Sequence, residues 1–198
     1  MQKANRGKFL LVLGVVLVLV DQIVKILVKS NMSIGESFNV IGDWFRILFI
    51  ENKGMAFGMS FGGVVGKYIL TAARILLFAL MTWYINHLLK KEKVPMGVLV
   101  GLTLIAAGAM GNIIDCLFYG LVWDYAPFMQ GKVVDMLYFP LIDTYVFGKH
   151  ITFFDPVFNV ADSCVTVGAF YLLLFHYSFF SKEEKKENRE KTADKNFA

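Results

Sequence analysis

Four long apolar stretches, at about 8–28, 67–89, 96–119 and 157–180, constrain this chain more than any other feature. Each is long enough to cross a bilayer's hydrocarbon core, roughly 30 Å thick, as a helix. In that core an isolated segment satisfies its own backbone only by being helical. The 198 residues are 57% hydrophobic and only 18% charged, which excludes an ordinary soluble domain and suits one membrane-embedded unit. The expected fold is membrane all-α: four transmembrane helices over 1–180, with a charged cytoplasmic tail over 181–198.

Lysine and arginine set the orientation. Lys3, Arg6 and Lys8 precede the first span, and Lys90, Lys91 and Lys93 fill the link between spans two and three. Lys182, Lys185, Lys186, Arg189, Lys191 and Lys195 lie in the tail. By the positive-inside rule all three segments are cytoplasmic, and four crossings satisfy this. Segments 29–66 and 120–156 then face outward. The formal charge of +4 reflects this topology, so no nucleic-acid partner is expected. A basic start before an apolar run also suits a cleavable signal peptide, but no small-x-small site follows Val20, and Asp21 and Lys25 continue the helix. The first span is read as a retained anchor.

The two cysteines, Cys116 and Cys164, fall in or beside spans, which argues against a disulfide framework. His87, His150 and His176 have no metal-site spacing, and neither metal nor cofactor is expected. Within segment 33–61, Ser37 to Ile50 is rich in β-formers around a Gly42-Asp43 turn, which predicts a small outward-facing sheet or hairpin. Trp44, Phe45, Phe49 and Phe57 suit the headgroup layer. Segment 120–156 is aromatic-rich and reads as an interfacial loop. Gly101, Gly108 and Gly111 in span three allow close helix contact, so this helix is expected at the centre. The tail from Ser181 is expected to be frayed or disordered.

Every span carries a polar face. Asp21 and Lys25 lie four apart and can pair. Arg74 is inside span two, Asn112 and Asp115 share a face of span three, and Asn159 and Asp162 share one of span four. Asp135 sits in the outside segment leading back to that span. Such groups can be simple interhelical glue worth about 0.6–2 kcal/mol each. Their gathering toward the outer face points instead to a shared cavity. Two acids facing one cavity can share a proton, the basis of aspartyl hydrolysis. By position alone Asp115 ranks with Asp135 and Asp162.

Five blocks in order make the chain resemble the lipoprotein signal peptidases (signal peptidase II), four-span aspartyl proteases of bacteria. They are Asp21-x-x-x-Lys25, Asn52-Lys-Gly54-Met-Ala-Phe-Gly58, Gly108-Ala-Met-Gly-Asn112-Ile-Ile-Asp115, Val133-Val-Asp135, and Phe158-Asn159-Val-Ala-Asp162. The resemblance implies Asp135 and Asp162 as the catalytic pair, with Asp115, Asp21 and Lys25 in support. It further implies that Asn112 and Asn159 position the acids or the substrate carbonyl, and that Asn52 and Gly54 touch substrate. The implied substrate is a prolipoprotein diacylglyceryl-modified on its lipobox cysteine and cut just before it. The implied enzyme works as a monomer in the bacterial inner membrane, both termini cytoplasmic, with its site near the outer leaflet and the substrate's acyl chains in membrane lipid.

One departure stands out. The family's arginine after Gly-Asn-x-x-Asp is Cys116 here, and Arg74 is a candidate to supply that charge from span two, facing Asp115. Asp124 and Asp143 compete with Asp135, whose Val-Val flanks favour it. Rival readings are a small proton-coupled carrier or channel, which wants polar groups along a whole pore, and a serine protease using Ser163, for which only His150 offers itself as a base.

Overall fold

The structure is a computed structural model describing residues 3–53, 63–91, 93–140, 142–146, 149–153 and 156–196. Five helices are α1 (Lys3–Asn31), α2 (Gly63–Lys90), α3 (Met96–Ile114), α4 (Gly120–Val122) and α5 (Val160–Asn196). A π turn, Asp115–Tyr119, joins α3 to α4. Six strands are β1 (Ser37–Ile41), β2 (Phe45–Asn52), β3 (Val133–Tyr138), β4 (Ile142–Val146), β5 (Lys149–Phe153) and β6 (Val157–Phe158). Among the described residues, four helical segments are long and apolar enough to cross a membrane: Asn5–Asn31, Gly63–Lys90, Met96–Val122 and Val160–Ser181.

The third of these is central, as its glycines predict. Leu11, Val12, Leu76, Leu80, Leu173 and Leu174 of the outer helices point away from the protein, as lipid-facing side chains do, whereas α3 buries Val98, Leu99, Leu102, Ala106 and Ala107. Its glycines are contact points. A Cβ on Gly108 would strike the Ala161 carbonyl, one on Gly101 would meet Leu172, and one on Gly111 would meet the Asp21 carboxylate. Leu10, Leu88, Val94, Val98, Leu99, Leu102 and Leu172 form one apolar core. Val28, Phe49, Tyr119, Val134 and Met136 form a second, beneath the sheet. The polar residues of the helices lie between the two.

The sheet runs β1-β2-β3-β6, all antiparallel, with β4-β5 as a separate hairpin. The predicted β1–β2 hairpin turns at Gly42, which has a φ of 51°. The segment 120–156 departs from the sequence expectation of a loop. Val133–Tyr138 becomes an inner strand because β2 and β6 supply partners on both sides. Phe45, Phe139 and Phe158 stack across the sheet, with centroids 4.6 and 5.7 Å apart. Phe49 departs as well: it is buried in the second core instead of lying among headgroups. Phe57 is outside the described residues.

Two further boundaries move. Span four starts at Val160, because Val157 and Phe158 pair with β3 as β6. The chain expected to fray after Ser181 continues α5 to Asn196; its dense lysine and glutamate residues are good helix formers. The close α3–α5 contact generates a first expectation. Gly108→Ala forces a methyl into the Ala161 carbonyl and should cost about 1–3 kcal/mol, seen as a lowered thermal midpoint of the detergent-solubilised protein.

Candidate active site

Lys25 anchors the site from α1. It is 0% exposed, and its Nζ lies 2.8 Å from Asp21 Oδ2, 2.8 Å from Asp115 Oδ2 and 3.0 Å from Asn112 Oδ1. The predicted i,i+4 pair with Asp21 is present, and Asp115 joins it from the π turn. A buried cation is tolerated only when its partners nearly surround it. The two carboxylates then carry the structure outward. Asp21 Oδ1 accepts the Ala161 N–H at 2.8 Å, in the first turn of α5. Asp115 Oδ2 accepts the Val134 N–H of β3 at 3.3 Å.

Gln22 completes this cluster and was not singled out in the sequence. Its Nε2 donates to Asp21 Oδ2, Asp115 Oδ1 and the Gly111 carbonyl at 3.1, 2.9 and 3.1 Å. Its Oε1 accepts from Tyr119 Oη at 3.2 Å. The available signal was its position three residues before Lys25, on the same helical face.

The chain returning from the π turn is docked onto exposed helix-end carbonyls. Gly131 N–H donates to the Cys116 carbonyl at 2.9 Å and Met129 N–H to that of Leu117 at 3.2 Å. Gly131 presses so closely on the Asp115 carbonyl that no side chain fits there. Four residues later comes Asp135, 3% exposed.

Asp162 reaches the same place from α5. Asn159 is the N-cap: its Oδ1 accepts the Asp162 N–H at 2.9 Å, while Asp162 Oδ2 accepts the Asn159 N–H at 3.4 Å. This reciprocal pair is a capping box, and it fixes both side chains. Asn159 Nδ2 donates to Asp135 Oδ1 at 2.7 Å and to Asn112 Oδ1 at 3.1 Å. Asn112 Nδ2 donates to Asp162 Oδ1 at 2.8 Å. The two acids are therefore tied to one another through Asn159 and to Lys25 through Asn112. Asn52, at the end of β2, also donates to Asp135. Burial first, then the neighbouring Asp162 charge, pushes the Asp135 pKa up to about 7, against the hydrogen bonds from Asn159 and Asn52.

Asp162 opens onto a cavity of about 320 Å³ between α2, α3 and α5, lined by Arg74, Leu77, Ala109, Asn112, Asp162, Val165 and Thr166. Arg74 reaches this cavity but does not pair with Asp115 as the sequence suggested. Its Nη1 donates to Cys116 Sγ at 3.0 Å. The reason is geometric: one helical residue turns Cys116 toward α2, while Asp115 faces α1 and is enclosed by Lys25 and Gln22. Of the remaining candidates, Gly54 lies outside the described residues. Asp124 sits exposed in a turn at φ 50°, away from the acids, and Asp143 lies on β4 of the separate hairpin. Ser163 Oγ donates to the Asn159 carbonyl at 2.9 Å, a helix-end bond and no nucleophile's arrangement.

Fold and site together define a polytopic membrane protein holding four aspartates, Asp135 and Asp162 among them, in one hydrogen-bonded cluster. Comparison with known proteins narrows this. Residues 13–179 match the family described as Signal peptidase (SPase) II. The lipoprotein signal peptidase of Porphyromonas gingivalis is 38% identical over 197 residues, covering 88% of this chain and 85% of the relative. That of Amoebophilus asiaticus is 35% identical, covering 79% and 72%. A solved bacterial membrane enzyme, determined by the in meso method at 2.3 Å, superimposes with a TM-score of 0.63 at 27% identity, covering 90% and 92%. The chain belongs to the signal peptidase II family and is a membrane protease.

Replacing Lys25 by Met should strand Asp21 and Asp115 without a counter-charge. The expected loss is about 3–5 kcal/mol, read as a large drop in thermal midpoint, with partial recovery when Asp115→Asn is added.

Proposed function

We propose that this protease removes signal peptides from diacylglyceryl-modified prolipoproteins, cutting just before the lipidated cysteine, with Asp135 and Asp162 as its catalytic pair. The observation that carries the pair is Asn159, which bonds both acids from one residue. Asp162, half-buried at the cavity, acts as the ionised base and takes a proton from water as its oxygen attacks the scissile carbonyl. Asp135 acts as the acid and donates to the carbonyl oxygen. When the C–N bond breaks, the proton taken by Asp162 passes to the leaving amine. Asn112 holds Asp162 and Asn159 holds Asp135 by hydrogen bonds that add no charge to the pair.

Asn52, bonded to Asp135, brings the outside segment to the substrate. The lysine and arginine pattern supports cytoplasmic termini and a site near the outer leaflet, where a lipidated cysteine keeps its acyl chains in the bilayer. A monomer contains every group required. A carrier or channel would need polar groups through its length, whereas the cytoplasmic-side core is apolar from Leu10 to Leu172.

Asp135→Asn and Asp162→Asn should each lower cleavage of a lipidated prolipoprotein by about 10²–10⁴-fold without lowering thermal midpoints. Full activity in either folded variant would remove that acid from the pair. The pH dependence has a definite sign: above a pKa of about 7 Asp135 loses the proton it donates, so kcat/KM should fall as pH rises through that value. A profile flat from pH 6 to 9 contradicts the assignment.

Arg74 is proposed to bind a substrate carbonyl in the cavity, its guanidinium carrying more donors than Cys116 occupies. Arg74→Gln should raise KM by about tenfold, as loss of one charged hydrogen bond does, with kcat nearly unchanged. Unaltered KM would exclude this role.

A further inference from the structure

The β2–β3 ladder is irregular close to the site. Ile47 pairs with Leu137, and the next pair is Ile50 with Asp135. Three steps along β2 thus match two along β3, a bulge that uncouples the inner half of the ladder from the outer. Inward of the bulge only Ile50, Glu51 and Asn52 are paired, with Asp135, Val134 and Val133. Because side chains alternate, a one-residue slip would turn Asn52 away from Asp135. Something other than the ladder must hold this register.

Glu51 occupies that position. Its side chain is 7% exposed and lies between two ammonium groups. Oε1 accepts from Lys29, in the last turn of α1, and Oε2 accepts from Lys132 at 2.6 Å. Lys29 Nζ sits over the rings of Phe49, Trp123 and Tyr125 at 5.8, 5.3 and 4.9 Å. Lys132 Nζ lies 5.0 Å from the Tyr125 ring, and its backbone N–H donates to Tyr125 Oη at 2.8 Å. The Glu51 carboxylate therefore joins the end of α1, the end of β2 and the residue that leads into β3. Burial opposes its charge, but the hydrogen bonds from Lys132 and Lys29 outweigh this and hold its pKa below the usual carboxylate range.

The register makes the link to the site. Glu51 lies opposite Val134 and bonds diagonally to Lys132; Asn52 lies opposite Val133 and bonds diagonally to Asp135. The two diagonals occupy opposite faces of one short ladder, so a slip that breaks either breaks both. We propose that Glu51, gripped by Lys29 and Lys132, is a positioning residue that fixes the inner β2–β3 register and thereby holds Asn52 on Asp135.

This rests on Asp135 being catalytic, and the experiment separates the two. Steady-state cleavage of a lipidated lipobox peptide is measured for the full chain, E51Q, E51D, N52A and the E51Q/N52A pair, with D135N as control. E51Q should lower kcat by about tenfold, the size of coupling between neighbouring groups, with KM within about twofold. E51D should recover part of the loss. In the N52A background E51Q should cost nothing more, because it acts through Asn52. A fully active E51Q, or losses that multiply in the double variant, overturns the proposal. Should E51Q fail to fold, K132Q takes its place: it breaks one half-exposed grip and must show the same non-additivity with N52A. An active D135N would instead overturn the catalytic pair and leave the E51Q result to be read separately.

Discussion

One ammonium group organises this protein. Lys25 has no access to solvent and lies in a helix that crosses the membrane, where an unpaired charge is prohibitive. α1 and α3 must therefore meet in the arrangement that brings Asp21, Asp115 and Asn112 around it. Each partner has a second attachment: Asp21 to the start of α5, Asp115 to β3, Asn112 to Asp162. Asp162 is thus two hydrogen bonds removed from a single buried charge, through Asn112, and Asp135 three, through Asn112 and Asn159.

The intermediaries are asparagines, and their chemistry suits the place. An amide both donates and accepts, so Asn112 accepts from Lys25 while donating to Asp162, and Asn159 accepts from the Asp162 backbone while donating to Asp135. Direct contact with Lys25 would set a full positive charge beside an acid. A neutral amide passes on geometry without adding that charge. Asp115 shows the contrast: its carboxylate is taken up by Lys25, Gln22 and the Val134 N–H, although its position along the chain resembles that of a catalytic acid.

Much of this was legible in the residues. Hydropathy marks all four spans, the glycines of α3 mark its central place, and the four-residue spacing of Asp21 and Lys25 marks their ion pair. What failed to show was pairing through space. Val133–Tyr138 reads as part of an aromatic loop because its partner β2 lies about eighty residues earlier. Arg74 carries no mark of whether it meets Asp115 or Cys116, which differ by one helical step. Asn159 and Asp162 were readable as a shared helical face, yet their spacing is also that of an N-cap and its N3 acid, and this second meaning is the one the fold uses. The Glu51 cluster needs four separated segments and has no local signature.

That capping box has a consequence for how the protein comes into being. The bonds that start α5 are also bonds that aim Asp162, and the fourth span contributes them. Until the fourth helix has entered the bilayer and begun at Asn159, Asp162 has no fixed direction and Asp135 lacks its Asn159 partner. Insertion of the fourth span and completion of the carboxylate cluster are then one event, and a nascent chain paused at three spans lacks that cluster.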